Sequence, residues 1–180
     1  SYLDDNIGKL LDTLEKTGLS GNTRVIYSSD HGESMGQKGM FSKCNMYEES
    51  AGIPMIISGP DLPQGQEVDT PTQLMDIFPT ILEATGVNAK DEDQELKGHS
   101  LISLAQGETP ERSILSEQHS AGAKSAVYMI RKGKWKYVHY VEGYSSQLFN
   151  LEEDPNELTD LGSHPDCSNQ LVMMEQELRT

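Results

Sequence analysis

The sequence predicts an α/β layer followed by a small antiparallel sheet with a terminal helix. In the first half, apolar residues recur at helical spacing over residues 3–17, and a short β-branched run follows at residues 24–28. In the second half the pattern changes to short strand-like runs, at residues 113–116, 126–130, 135–141 and 147–151. We therefore expect residues 1–110 to belong to an α/β domain and residues 111–180 to form a small antiparallel-sheet subdomain.

The first helix and the first strand are both expected to be buried in part. The apolar stripe of the helix consists of Leu3, Ile7, Leu10, Leu11 and Leu14. Gly18 is suited to end this helix, because glycine readily adopts the left-handed conformation found after a helix C-terminus. The run at residues 24–28 is short and apolar, which predicts a strand that is buried on both faces.

A second strand and a second helix follow. The run from Ile53 to Ser58 predicts a buried strand, and Pro54 confines it to an edge or must stand among its first residues. Apolar residues between Leu74 and Leu82 predict a helix that ends near Gly86, with a kink or a start at Pro79. Residues 87–112 predict irregular chain.

The second half predicts an antiparallel sheet and a helix. Residues 131–134 form a hairpin turn between two of the predicted strands, and residues 171–178 fit a terminal helix. Charged and aromatic residues alternate in this hairpin. We expect the aromatic side chains on its core face and the charged side chains in solvent, rather than a surface on which nucleic-acid bases stack.

The charge of the chain excludes some partners. With 14 Lys and Arg against 29 Asp and Glu, the formal net charge is 14 − 29 = −15. Such a surface repels phosphate backbones and anionic lipid, so we expect neither nucleic acid nor a membrane as partner. No apolar run is long enough to span a bilayer. An anionic substrate needs a local positive group, such as a metal ion or a lysine.

The polar run after the first strand is the strongest candidate for chemistry. Asp30 and His31 leave the carboxyl end of a predicted strand, where sites collect in α/β folds. Aspartate offers a hard oxygen and neutral histidine a nitrogen, so the pair can bind a divalent cation. The alternative is a turn aspartate beside a surface histidine. Two ligands are too few for a hydrolytic metal site, so the others must come from elsewhere.

Lys43 lies twelve residues beyond His31 in a glycine-rich loop. Its ammonium group can hold an oxygen of a sulfate or phosphate group. The alternative is a solvated loop lysine.

These residues stand in a longer pattern that resembles the type I sulfatases of the alkaline phosphatase superfamily. The matching stretches are residues 22–36, Lys43, residues 47–50, residues 53–57, residues 98–101, residues 129–137 and residues 147–157. They cover nearly the whole chain in order. The Ser29-Asp30-His31-Gly32 stretch is most similar to choline-sulfatase-like and phosphonate-monoester-hydrolase-like members.

The resemblance implies an alkaline-phosphatase-like sheet domain and a small C-terminal antiparallel subdomain. It implies that Asp30 and His31 bind the active-site cation, most simply Ca²⁺, with Mn²⁺ or Zn²⁺ as alternatives that a histidine ligand favours. It implies that Lys43 contacts the sulfate. His119 and Glu117 follow a predicted strand end, where the small subdomain of the family can face the substrate cleft; they are candidates for substrate contact, and the alternative is a surface loop. Many members have histidine at the position of Lys38.

The family nucleophile is a formylglycine, made from the first residue of a Cys/Ser-x-Pro/Ala-x-Arg motif. Neither Cys44 nor Cys167 stands in such a motif. We therefore expect the chain to be the C-terminal portion of a sulfatase, with the formylglycine in an N-terminal part, and to be inactive alone. The expected substrate is a sulfated small molecule or sugar.

The sequence leaves open two alternative functions, the oligomeric state and the cellular compartment. The chain can belong to a phosphonate or phosphate monoester hydrolase of the same superfamily, or to a non-catalytic module that kept the scaffold. Retention of Asp30, His31 and Lys43 speaks against the module. A homo-oligomer is possible, and the compartment is either the cytoplasm or an exported location.

Overall fold

The computed structural model describes residues 1–93, 95–119 and 124–180, which form two compact units. The first unit comprises Ser1–Ser28, Pro54–Asp69 and Leu74–Thr109, and the second comprises Ser29–Ile53, Thr70–Gln73 and Pro110–Thr180. The units are interleaved along the chain, so the domain boundary expected after residue 110 stays a prediction. Among the described residues, no helix is long and apolar enough to cross a bilayer.

The first unit contains a helix and a pair of antiparallel strands. Helix α1 spans Tyr2–Lys16, and Ser1 caps it by accepting a hydrogen bond from the Asp4 N–H. Strand β1 (Val25–Ser28) pairs antiparallel with β2 (Met55–Ser58), so that Ile26 lies opposite Ile57. Pro54 directly precedes β2, as its missing N–H requires. These elements confirm the predicted positions of the first helix and both strands.

The expected burial of these elements is wrong for this chain. Every residue of α1 is described and none is buried; Leu10 is 68% exposed. Strand β1 is half-buried along its length, and Ile56 of β2 is 58% exposed. The periodicity correctly located an apolar face, but periodicity does not show whether another element covers that face.

Two further helices complete the first unit. Helix α3 spans Ile77–Thr85 and ends at Gly86, whose φ of 68° lies in the left-handed region, as predicted. Helix α4 (Leu101–Ala105) lies in the stretch that was predicted to be irregular. Its short apolar run is buried, and the Leu101 N–H donates to the buried Thr80 hydroxyl. That prediction was wrong because five residues are too few to show helical periodicity.

The second unit is built on a four-stranded antiparallel sheet in the order β3–β4–β5–β6. The strands span Ser113–Gln118, Val127–Lys132, Trp135–Tyr140 and Gln147–Asn150. Helix α5 spans Ser168–Leu178, and the short helix α2 spans Glu48–Ala51. The hairpin, the four strands and the terminal helix confirm the predicted antiparallel-sheet part of the fold.

The two faces of this sheet pack against different parts of the chain. On one, which we call the loop face, the buried cluster is Met46, Val127, Met129, Val138 and Phe149. On the other, the helix face, the buried cluster is Ile130, Tyr137, Leu148 and Met174, the last from α5. Met46 therefore anchors the segment at residues 29–53 to the loop face.

One charged residue of the hairpin departs from the predicted pattern. Tyr137 is buried as expected, but its neighbour Lys136 is also fully buried rather than in solvent. Its ammonium group lies 2.8 Å from Glu48 Oε1 and 2.7 Å from Glu157 Oε1. Strand alternation placed Lys136 on the face opposite Tyr137, but that face is covered by α2, and the sequence does not reveal the distant carboxylates.

Candidate active site

The backbone after β1 is held against α2. The Gly32 N–H donates to the Ser50 carbonyl over 2.8 Å. A Cβ at Gly32 would clash with the Glu49 carbonyl and would lie 3.1 Å from the Gly52 carbonyl oxygen. Only glycine permits this close approach, and it fixes the peptide that follows His31.

Asp30, His31 and Lys43 converge on one point. The Lys43 ammonium donates to His31 Nε2 over 2.5 Å, and Asp30 Oδ2 lies 3.4 Å from the same nitrogen. His31 Nδ1 lies 2.7 Å from the Gly32 carbonyl oxygen. Since lysine can only donate, this network assigns the proton to Nδ1 and leaves the Nε2 lone pair facing Asp30 and Lys43.

The environment keeps Asp30 ionised. Burial acts to raise the pKa of the Asp30 carboxyl, but attraction to the His31 ring when that ring is protonated, the backbone N–H groups and Lys43 outweigh it and lower that pKa below its usual value of 3.8. A carboxylate beside an imidazole lone pair is a suitable pair of donors for a divalent cation.

The loop between His31 and Met46 contains unusual backbone. Met35, Lys38, Ser42 and Cys44 all have φ between 49° and 76°, the left-handed region that non-glycine residues rarely occupy. Such conformations persist only where surrounding contacts hold them, and they cluster at functional sites.

Several contacts hold this loop in place. The Ser34 N–H donates to the Ser42 carbonyl over 3.0 Å. The Lys38 ammonium binds both Glu49 carboxylate oxygens, at 2.7 and 2.9 Å, and lies over the Tyr47 ring. Lys38 thus ties the loop to α2, and it is not among the described residues that line the pocket.

The three residues line a pocket of about 210 Å³. Further lining residues come from the same loop, α2 and the end of β3: Cys44, Asn45, Met46, Ser50, Ala51, Ser116, Glu117 and Gln118. Ser116 lies opposite Met129 and Gln118 opposite Val127 in the sheet, so both side chains share the loop face. Sequence reasoning missed these two residues, although strand alternation could have indicated them once one face was assigned to the site.

The structure brings Asp30, His31 and Lys43 together but places His119 elsewhere. The His119 ring packs edge-on against Tyr128, and its Nε2 lies 3.3 Å from Glu117 Oε2. Tyr128 belongs to the helix face, where it lines a separate cavity with Leu115 and Leu178. His119 is therefore not among the described residues that line the candidate site, and its expected contact with substrate gains no support from this geometry.

The donor set fits part of a metal site. Among the described residues, no group of three or more His, Cys, Asp and Glu side chains could hold an ion. Asp30 and His31 nevertheless have the features of ligands: an ionised carboxylate, and an imidazole whose other nitrogen donates to a carbonyl and so fixes its orientation. Two donors do not complete a coordination sphere, so the metal site stays a prediction.

Comparison with known proteins agrees with this geometry. Residues 1–87 match the model of the sulfatase family. The choline-sulfatase of Rhizobium meliloti is 37% identical over 165 residues, which make up 92% of this chain and 32% of the relative. The chain thus spans about a third of the length of the curated relatives it matches.

Solved structures extend the similarity to the fold. A 2-O GAG sulfatase superposes with a TM-score of 0.89 at 28% identity, over 98% of this chain and 40% of the other. The phosphonate monoester hydrolase of Agrobacterium radiobacter superposes with a TM-score of 0.81 at 26% identity, over 98% of this chain and 38% of the other. Residues 1–87 therefore match the sulfatase family model, and nearly the whole chain is similar to sulfatases in sequence and in fold.

Proposed function

We propose that this chain is the C-terminal portion of a metal-dependent sulfatase that hydrolyses sulfate esters. The observation that carries the proposal is the convergence of Asp30, His31 and Lys43 on one pocket, in a chain whose relatives are sulfatases. The substrate is then a sulfated small molecule or sugar. The remaining metal ligands and the nucleophile, a formylglycine, come from polypeptide outside this chain.

Asp30 and His31 are the residues that would hold the cation, which we expect to be Ca²⁺. When bound, the cation supplies a positive charge that stabilises the sulfate oxygens in the transition state. Nε2 of His31 has one lone pair, which now accepts from Lys43. If His31 held a cation through this nitrogen, Lys43 would lose its present acceptor, and its ammonium group would be available to bind the substrate anion.

Lys43 binds an oxygen of the sulfate group and neutralises charge during transfer of sulfur to the nucleophile. Lys43 contributes the one cationic side chain among the described lining residues, and the proposed cation would add two further positive charges beside the carboxylates of Asp30 and Glu117. A sulfate ester carries one negative charge, whereas a phosphate monoester carries nearly two at neutral pH. The proposed preference for sulfate esters therefore rests on the sulfatase relatives rather than on charge.

A phosphonate monoester also carries one negative charge, and a phosphonate monoester hydrolase is among the similar structures. Phosphonate hydrolysis is therefore the second candidate function. Assay of the protein that contains this chain on aryl, choline and sugar sulfates and on a phenyl phosphonate ester separates the two. A higher kcat/KM for the phosphonate ester than for every sulfate would replace the first proposal by the second.

The role of Lys43 is tested by Lys43→Ala in the same protein. Loss of one charge-stabilising donor is expected to lower kcat by about 100- to 1,000-fold. Lys16→Ala is the control, because Lys16 is an exposed lysine of α1. If the two substitutions lowered kcat equally, Lys43 would have no special role in the mechanism. If the wild-type protein and both variants hydrolysed none of the substrates, the non-catalytic module would be favoured.

Dependence on the cation is tested by chelation and refilling. Treatment with a chelator is expected to abolish hydrolysis, and added Ca²⁺ is expected to restore it. Restoration by Mn²⁺ or Zn²⁺ but not by Ca²⁺ would change the proposed metal. Asp30→Asn is expected to weaken the affinity for the restoring ion, and an unchanged affinity would exclude Asp30 as a ligand.

A further inference from the structure

The most unusual buried group outside the pocket is the ammonium of Lys136. It lies on the loop face of β5, 2.8 Å from Glu48 Oε1 and 2.7 Å from Glu157 Oε1. Lys136 and the side chain of Glu157 are both fully buried, while Glu48 is partly exposed. These three residues, which we call the Lys136 cluster, come from three distant parts of the chain.

The cluster fixes the start of α2. The Glu48 N–H, the first of this helix, donates to Glu157 Oε2 over 2.6 Å. The residue before the helix, Tyr47, provides no side-chain cap. Glu157 therefore satisfies a helix donor that would otherwise be left unpaired, and it does so with φ at 51°, in the left-handed region.

The opposite side of α2 fixes the candidate active site. The Ser50 carbonyl accepts the Gly32 N–H, and the Glu49 carboxylate binds Lys38. Gly32 in turn receives the Nδ1–H of His31 on its carbonyl. Lys136 is thus linked to the orientation of His31 through α2 by a short series of hydrogen bonds.

We propose that Lys136 is a positioning residue of the candidate active site: by holding Glu48 and Glu157, it sets α2 at the place where Gly32 and Lys38 fix the His31 ring and the Lys43 loop. Apolar packing alone could hold α2 against the sheet, but it would not fix the orientation of the helix. An ammonium group shared by two carboxylates fixes both the position and the orientation of α2. The kinetic part of this proposal rests on the proposed function, but the structural part does not.

The structural part is tested by hydrogen exchange of the Gly32 amide in this chain. Lys136→Met removes the charge and keeps most of the side-chain volume, and it leaves two carboxylates without their cation. Gly32 protection is expected to fall by roughly 100-fold, because the two carboxylates that lose their cation weaken α2 locally.

Lys132→Met is the matched control. Lys132 belongs to the same sheet but lies on its helix face, where its ammonium group pairs with Glu177 at 3.0 Å and Glu111 at 3.4 Å. Gly32 protection is expected to be unchanged in this variant. Unchanged protection in Lys136→Met as well would overturn the proposal, as would an equal loss in both variants at temperatures where each is folded.

A second variant covers the case in which Lys136→Met does not fold. Glu48→Ala removes the partly exposed member of the cluster and keeps the Glu157 cap, so its effect on folding is smaller. Selective loss of Gly32 protection supports the proposal, and wild-type protection contradicts it.

The kinetic part uses the protein that contains this chain. Displacement of a site by about 1 Å can cost 100-fold in rate, so kcat in Lys136→Met is expected to fall by roughly this factor while Lys132→Met keeps wild-type kcat. Loss of Gly32 protection without any sulfatase activity in the wild type would leave the positioning role standing and remove the proposed function.

Discussion

The ring of His31 has a single lone pair, and Asp30 and Lys43 are arranged around it. In the described state Lys43 occupies that lone pair, and Asp30 stays ionised beside it. This arrangement keeps both charged groups within 3.4 Å of the same His31 nitrogen. A divalent cation held by His31 would add two positive charges while Lys43 stays in the pocket, and it would make the pocket more attractive to an anion.

Gly32 offers a test of how tightly this register is held. Gly32→Ala is expected to destabilise the second unit by about 1–3 kcal/mol, because the added Cβ would enter the space of the Glu49 carbonyl. Urea unfolding measures this change. Gly8→Ala, in the exposed middle of α1 with open space around it, is expected to stabilise the chain by about 0.5–1 kcal/mol. A neutral Gly32→Ala would mean that α2 can move away freely.

The sequence contains enough information to find Asp30, His31 and Lys43, because a polar run after a strand and a familiar motif both point to them. It does not contain enough to find Ser116 and Gln118. Their place in the pocket depends on which face of β3 turns toward the loop, and the sequence alone does not show this. For the same reason the sequence could not show that the His119 ring packs against Tyr128 of the helix face.

Elements, rather than single residues, decide which predictions of the fold hold. Long periodic stretches such as α1 and α5 were located correctly, because many residues repeat the same signal. The five-residue helix α4 carries no such signal. The burial of Lys136 depends on Glu48 and Glu157, which lie 88 residues before it and 21 residues after it, and local patterns cannot show such pairing.

The docking of α5 on the helix face is expected to depend on pH. The Ser113 hydroxyl and the Lys132 ammonium donate to Glu177 and lower its pKa below the usual 4.5. Because the folded pKa is the lower one, this stabilisation is complete above pH 4.5 and is lost as the pH falls through the folded value. Fluorescence of Trp135, which packs against the helix-face cluster, reports the loss.

Glu177→Gln is the control for this pH dependence. The variant keeps a side chain of the same shape but has no carboxylate to protonate, so it is expected to be less stable than the wild type at neutral pH and to lose less stability below pH 4.5. Parallel acid transitions in the two proteins would show that Glu177 does not contribute.

The loop face is expected to be sensitive to truncation of its anchor. Met46→Ala would leave a cavity among Val127, Met129, Val138 and Phe149, at a cost of about 2–5 kcal/mol. Thermal unfolding measures the change. Met173→Ala, at an exposed position of α5, is the comparison and is expected to have little effect. Similar losses in both variants would indicate that Met46 does not anchor the loop.

At the scale of the whole molecule, the two units differ in how well their apolar residues are covered. The two buried clusters described above lie in the second unit. In the first unit the apolar run of α4 is buried, but α1 has no buried residue, and Leu3, Leu11 and Ile56 are exposed. These three side chains line one groove with Ile7 and Val25. Apolar surface of this kind promotes association.

The isolated chain is therefore expected to self-associate through the first unit. The double variant Leu11→Glu with Ile56→Lys places charges in the groove and is expected to shift the chain toward monomer in size-exclusion chromatography. The control is Leu158→Glu, at an exposed position of the second unit. Identical elution of wild type and double variant would show that this groove does not drive association.

The division of the four-stranded sheet into two faces has a practical result for anyone who wishes to modify this protein. Ser116 and Gln118 of the pocket share one side with the anchor of the loop, while α5 and its charged contacts occupy the other. Variation on the α5 side can then accumulate, by design or by drift, with little effect on the chemistry across the sheet. Substitutions on the α5 side can then raise the thermal stability of the protein while the pocket residues stay unchanged.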